Sequence, residues 1–201
     1  MKKLLIVSCT KLSDTDKTST LLWGSLDDNG FTGRSDVDIV FVTDNAIGLS
    51  AVYNRFLTNT YLLAYENIAF IHDDVYVDDP KLVRKLNDAH SKYDIVGVAG
   101  CVNPSIQHPA LWHIMCGNAD NRRGYAFHFL SNDHSTTGPI SVASFGPTPA
   151  RVALVDGLFV SVKTSAILRS KWKWNEAFEF HHYDIASCID ANAKGLKIGV
   201  S

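Results

Sequence analysis

Three adjacent polar residues, His72, Asp73 and Asp74, follow the apolar run Ile68 to Ile71 in the stretch NIAFIHDDVYV. An imidazole and two carboxylates at the end of a buried strand suit a hard or borderline divalent ion such as Mn2+ or Mg2+ better than a thiolate-seeking metal. His72 and Asp74 alternate along an extended chain and can face one way, while Asp73 faces the other or turns with the chain. So small a ligand set is weak alone, and most of the coordination would come from a substrate, as where a cation bridges two phosphates. The competing reading is that the two aspartates end a strand and open a turn, as capping explains Asp78-Asp79 before Pro80. A second group, His181, His182 and Asp184, lies in FHHYDIASCID. Asp184 reads as a helix N-cap or as a general base. A carboxylate at a helix N-terminus is favoured as an anion, and is a poor base unless burial raises its pKa. Either histidine could be a further metal ligand or part of the surface. Asp156-Gly157 interrupts the apolar run RVALVDGLFVSV, which signals a bulge or a close approach to a ligand.

These groups need strands and helices to position them. Strands are expected at Lys3 to Ser8, Asp38 to Thr43, Ile68 to Ile71 and Tyr93 to Ala99. An amphipathic helix is expected from Leu49 to about Tyr65, on the spacing of Leu49, Val52, Tyr53, Phe56 and Leu63. A second helix starts at Pro80 with Asp79 as its cap and runs to about Ser91, and a short one lies around Ser19 to Leu26. Alternation of this kind means a parallel sheet covered by helices, with the ligand beyond the carboxyl ends of the strands. No Gly-rich turn follows the first strand in SCTKLSD, which argues against a dinucleotide fold and a P-loop. Residues 100–150 hold five of the six prolines and four histidines, with short strands expected at Tyr125 to Leu130 and Ile140 to Phe145. A region of such weak period inside a domain reads as functional loops. The chain closes with the run Arg151 to Val162, a short helix from Lys163 to Lys171, a helix opening near Asp184 and stopping at Gly195, and a strand from Leu196 to Val200.

A chain of 201 residues, 46% hydrophobic and with net charge −2, has the size and composition of one domain with a substantial core. The absence of a basic excess argues against a nucleic-acid surface. No apolar run approaches the ~20 residues of a membrane helix. The start MKKLLIVSCT has the charge of a signal peptide, but its apolar part ends at Val7, so it reads as a first strand and the expected location is cytoplasmic. Cys9, Cys101, Cys116 and Cys188 are scattered, which suits reduced thiols and not a zinc cluster.

The order of these motifs, from the strand ending at Ser8 to Thr10, through Asp44-Asn45, Tyr53-Asn54, FIHDDVYV and VDG, to FHHYDIASCIDANAKGLKIGV, resembles a known family. It is similar to the glycosyltransferases of the nucleotide-diphospho-sugar transferase (GT-A) fold, and to the short glycosyltransferase-like branch near family 2. The likeness spans about residues 2–100 and 152–200. Two departures stand out: His72 holds the first place of the aspartate–any–aspartate signature, and His182 stands where an aromatic is more usual. The resemblance implies a single α/β domain with a mostly parallel central sheet flanked by helices, residues 1–100 forming the nucleotide-binding half and 101–201 the acceptor-side half. It implies a metal-dependent, inverting, hexosyltransferase-like enzyme. The donor would be a nucleotide-diphosphate sugar, UDP-sugar favoured, and the acceptor a glycan or small molecule. The nucleotide would lie near Thr10, Asp44, Asn45, Asn54 and Asp73. Asp74, with His72 and His181, would hold Mn2+ or Mg2+. Asp184 would be the base, and Asp156 would hold donor-sugar or acceptor hydroxyls. The alternative on the same fold is a nucleotide or nucleotide-sugar binding module without turnover.

Overall fold

The segment KKLLIVSC forms β1 (Lys2–Cys9), whose last six residues are buried. A strand with no polar face must be covered on both sides. The computed structural model describes residues 1–105, 107–116, 118–129 and 140–201. After β1 come α1 (Leu21–Asp28), β2 (Val37–Val42), α2 (Leu49–Asn54), α3 (Asn59–Leu62), β3 (Tyr65–Ile71), α4 (Leu82–His90), β4 (Ile95–Gly97) and β5 (Ala99–Cys101). The second half runs β6 (Arg122–Phe129), β7 (Ile140–Gly146), β8 (Ala150–Arg151), β9 (Leu154–Val155), β10 (Phe159–Lys163), α5 (Thr164–Ser170), α6 (Tyr183–Ala193) and β11 (Ile198–Val200).

The larger sheet has the order β2-β1-β3-β10-β4-β11-β8. β1 pairs parallel with β2 and β3, and β11 pairs parallel with β4. β10 runs antiparallel between β3 and β4, and β8 antiparallel to β11. The smaller sheet, β7-β6-β5-β9, is antiparallel. The pleat sorts the core by alternate residues. Leu4, Ile6, Ala69 and Ile71 pack under α1 and α4 through Leu22, Leu26, Val83 and Leu86. Leu5, Val7, Ile68 and Phe70 pack against α2, α5 and α6 through Val52, Tyr53, Ile167, Ile185 and Cys188. The four cysteines are free and buried. No described helix is long and apolar enough to cross a membrane.

The mostly parallel α/β architecture agrees with the expectation from sequence, but several boundaries differ. The helix expected from Leu49 to Tyr65 is two short ones. The Asn54 side chain at the end of α2 bonds the main chain of Trp174, and Thr58 is extended before α3. Asp79 does not cap α4, which begins at Leu82. It closes the preceding turn, accepting from Lys81 N at 2.8 Å, and pairs with Lys85 at 2.5 Å. The expected strand Tyr93 to Ala99 divides at Val98, leaving β4 in one sheet and starting β5 in the other. A Cβ at Gly100 would lie 2.2 Å from the Leu154 carbonyl oxygen, so only glycine lets β9 approach there. The run Arg151 to Val162 becomes β8, β9 and β10, which alternate between the sheets. Leu130, the expected end of the Tyr125 strand, lies outside the described residues.

A buried polar pair ties α4 to the centre of the larger sheet. His90 Nδ1 lies 3.1 Å from the Tyr93 carbonyl oxygen and therefore carries the hydrogen; Nε2, 2.8 Å from Ser161 Oγ, accepts from that hydroxyl. Burial pushes the His90 pKa down to about 4. Above the ordinary histidine pKa near 6.5 the ring is neutral in folded and unfolded chains alike. Between about pH 6.5 and 4 the unfolded chain takes up a proton that the folded chain refuses, so stability falls as the pH falls. The loss is about 1.4 kcal/mol per pH unit, about 3 kcal/mol over the window. Urea denaturation across this range is expected to show a shallower acid slope for His90→Gln than for the parent. Equal slopes would remove the assignment.

Candidate active site

The carboxyl ends of β1, β2 and β3 meet at one edge of the sheet. Thr10, the residue after β1, is buried, and its main chain is bonded on both sides: Thr10 N donates to Val42 O at 3.0 Å and Thr10 O accepts from Asn45 N at 3.0 Å. Asp44 N donates to Leu12 O at 2.9 Å. These bonds bring Thr10, Asp44 and Asn45 together. Asp44 is exposed and left-handed (φ 50°), a conformation in which a non-glycine residue is strained. Asn54 is engaged elsewhere. Its amide donates to Trp174 O at 2.9 Å and Glu176 Oε1 at 2.7 Å, and it lines a surface hollow of about 640 Å3 shared with Lys171, Lys173 and the C-terminal half of α6.

The end of β3 is fastened to the start of α6 through one phenol. His72 N donates to Leu158 O at 3.0 Å, which sets the chain direction after β3. His72 Nε2 lies 2.8 Å from Tyr183 Oη, and Tyr183 Oη donates to Gly157 O at 3.0 Å. Gly157 N in turn donates to Asp184 Oδ2 at 2.9 Å. A Cβ at Gly157 would stand 2.5 Å from the Tyr183 oxygen, so the close approach expected at Asp156-Gly157 is to the chain's own phenol. Tyr183 is held by an aromatic cluster with Tyr53, Trp174 and Phe70 at centroid distances of 4.6 to 6.1 Å. The residue before it, His182, is left-handed (φ 64°) at the N-cap of α6 and makes no side-chain capping bond. Strained non-glycine backbone thus occurs at both Asp44 and His182, on the two sides of this edge.

Asp184 occupies the first turn of α6 rather than its N-cap. Its Oδ1 accepts from Ile185 N at 2.8 Å. Those backbone donors and the helix end favour the anion. Burial, reinforced by the neighbouring Asp156 carboxylate, outweighs them and raises the Asp184 pKa. The opposition read from the sequence therefore resolves toward a raised pKa. Asp156 Oδ1 accepts from Leu158 N at 3.1 Å.

Asp73 is half-buried and Asp74 exposed, and neither carboxylate has a hydrogen-bond partner among the described residues. Burial, then the Asp73 charge, pushes the Cys9 thiol up to about 12, so that cysteine is no nucleophile. His181 and His182 are exposed. Among the described residues no three His, Cys, Asp or Glu side chains converge as a metal cluster, so Asp74, His72 and His181 are not a preformed ligand set. The open carboxylates fit a cation held chiefly by oxygens of its own ligand; they do not form a cage built by the protein alone. Beyond this edge, Tyr76 packs on Phe129 at 6.1 Å. From there one face of the β6–β7 hairpin extends with Tyr125, Phe127, Ile140 and Val142 all exposed. The role of Tyr183 could not be found by sequence reasoning, because its partner His72 is 111 positions away and no local pattern marks the pair.

A family model described as "Glycosyltransferase like family" matches residues 31–201. Among solved structures, A197 from STIV superposes with a TM-score of 0.53 at 12% identity, covering 99% of this chain and 81% of that one. A protein from Desulfovibrio desulfuricans G20, provisionally described as a nucleotide-diphospho-sugar transferase, gives a TM-score of 0.45 at 9% identity and covers 100% of this chain and 80% of its own. No curated protein sequence matches. At this identity the likeness to A197 concerns the fold.

The pairing of Asp156 with Asp184 has a direct test. In a 13C carboxyl titration, Asp184 is expected to titrate above the ordinary aspartate range, and Asp156→Asn should move its midpoint down by removing the like charge. An unmoved midpoint would show that the two carboxylates do not sense each other.

Proposed function

Because the chain belongs to the glycosyltransferase-like family, we propose that it transfers a sugar from a nucleotide-diphosphate sugar to an acceptor hydroxyl, with inversion at the anomeric carbon. The observation that carries this reading is the position of Asp184. It is a largely buried carboxylate of raised pKa, tied by Gly157 to the same edge at which β3 presents Asp73 and Asp74.

The proposed chemistry is a single displacement. The acceptor oxygen attacks the anomeric carbon, the bond from that carbon to the diphosphate oxygen breaks, and Asp184 takes the acceptor's proton. Elevated basicity at Asp184 serves this step, since a carboxylate of ordinary pKa takes a hydroxyl proton only late. Asp156, beside it, would bind donor-sugar or acceptor hydroxyls. Thr10, Asp44 and Asn45 would receive the nucleoside, UDP favoured, at the edge where their main chains are laced together. Asp74, with a histidine, would hold Mn2+ or Mg2+ and Asp73 would lie toward the nucleotide; such an ion, when bound, would supply charge neutralisation to the diphosphate. The exposed apolar face of the β6–β7 hairpin is where the acceptor would approach.

With a panel of nucleotide-diphosphate sugars and Mn2+, release of nucleoside diphosphate is expected, and a chelator should abolish it. Asp184→Asn should lower kcat by about 10^2- to 10^4-fold while keeping the donor-induced rise in Tm. Asp74→Ala should lose the part of that rise that depends on the cation. A Tm rise without turnover for any donor would make the chain a nucleotide-sugar binding module, and no rise with any nucleotide would end the proposal.

A further inference from the structure

We infer that Tyr183 is a positioning residue that fixes His72 as the tautomer carrying its hydrogen on Nε2, leaving Nδ1 as the ring atom available to a ligand. A tyrosine has one hydroxyl hydrogen, and the Gly157 carbonyl, 3.0 Å from Tyr183 Oη, can only accept. Tyr183 is its only partner among the described residues, and the phenol is buried, so the hydrogen goes to Gly157. The Tyr183 oxygen must then accept at 2.8 Å from His72 Nε2–H. A neutral imidazole has no second hydrogen, so Nδ1 holds a lone pair, and it has no hydrogen-bond partner among the described residues. The bond to Tyr183 orients the ring. It lies nearly parallel to Phe180 (22°) and Tyr183 (26°), and its main chain is bonded to Leu158 O.

The same phenol reaches the base. Gly157 gives its carbonyl to Tyr183 and its N–H to Asp184, so His72, Tyr183, Gly157 and Asp184 form one series of bonds. In its neutral form His72 has no hydrogen to give a phosphate oxygen; its Nδ1 lone pair can take a divalent cation or a ligand O–H or N–H, and beside the open carboxylates of Asp73 and Asp74 the cation is the occupant we assign. That last step rests on the reading of this edge as the donor site; the tautomer itself rests on the hydrogen bonds alone.

Long-range 1H–15N correlation on 15N-histidine protein at about pH 8, where imidazoles are neutral, reads the tautomer directly, with His72 assigned through His72→Gln. The parent chain is expected to show His72 wholly as the Nε2–H form. Tyr183→Phe, which removes the acceptor, should give a mixture. An Nδ1–H pattern in the parent, or an unchanged pattern in Tyr183→Phe, overturns the inference. The parent spectrum decides even where the variant fails to fold. Added Cd2+ with UDP, a diamagnetic probe pair, should shift Nδ1 and leave Nε2 in place. A silent Nδ1 in protein whose Tm the same pair raises would overturn the cation contact, and would be distinct from a failure of the donor reading, in which that Tm does not move.

Discussion

The hydroxyl of Tyr183 joins three segments of this edge. It touches His72 at the end of β3 and the Gly157 carbonyl between β9 and β10, and it sits one residue before Asp184. Hydrogen bonds of this kind are individually modest, but breaking one inside a buried cluster leaves groups without water or partner. The surroundings show how little room there is for such a loss. Tyr53 Oη and Trp174 Nε1, in the same aromatic cluster, already have no hydrogen-bond partner among the described residues. Gly157 completes the arrangement because any side chain there would collide with the phenol.

The antiparallel insertion of β10 makes this joint possible. In a wholly parallel sheet the neighbour of β3 would end at the same edge and carry its own loop outward. β10 instead begins there: Phe159 pairs with Ile71, so the turn before β10, with Asp156 and Gly157, arrives beside His72. β9 belongs to the smaller sheet and β10 to the larger, and the two-residue grip of β9 on β5 anchors the turn from the other side. The candidate site therefore lies where the two sheets exchange strands, and Gly97 and Gly100 leave no room for a side chain against Val155 and Leu154.

Much of the frame was legible in the residues themselves. Uniformly apolar runs marked β1 and β3, and the polar residues that stop them marked the edge where ligands bind in such sheets. Thr10, Asp44 and Asn45, named together by the family resemblance, are neighbours in the fold because the ends of β1 and β2 run parallel side by side. What was not legible depends on contacts between distant residues. β10 reads as a continuation of the strand before it, since an apolar run does not state its direction or its sheet. The resemblance puts Asn54 near the nucleotide, yet its amide serves Trp174 and Glu176, 120 and 122 positions away. Periodicity extends the expected helix past Asn54, where α2 stops and the chain goes on in tighter turns through Leu57.

Asp184 shows how the balance is decided physically. Its position in the first turn of a helix and its two backbone donors would, in water, lower its pKa. Both effects are local and of limited strength. Removal of the carboxylate from solvent acts against its charge as a whole, and the Asp156 charge adds to it. Neither aspartate, nor Asp73 or Asp74, meets a lysine or arginine in any described ion pair; those pairs lie elsewhere, at Lys2, Lys3, Lys17, Arg34, Lys85 and Arg169. Asp156 and Asp184 thus sense each other with no described ion pair to neutralise either. Burial, with the like charge of Asp156 beside it, raises the pKa of Asp184, while half-buried Asp73 and exposed Asp74 at the end of β3 have no hydrogen-bond or ion-pair partner among the described residues.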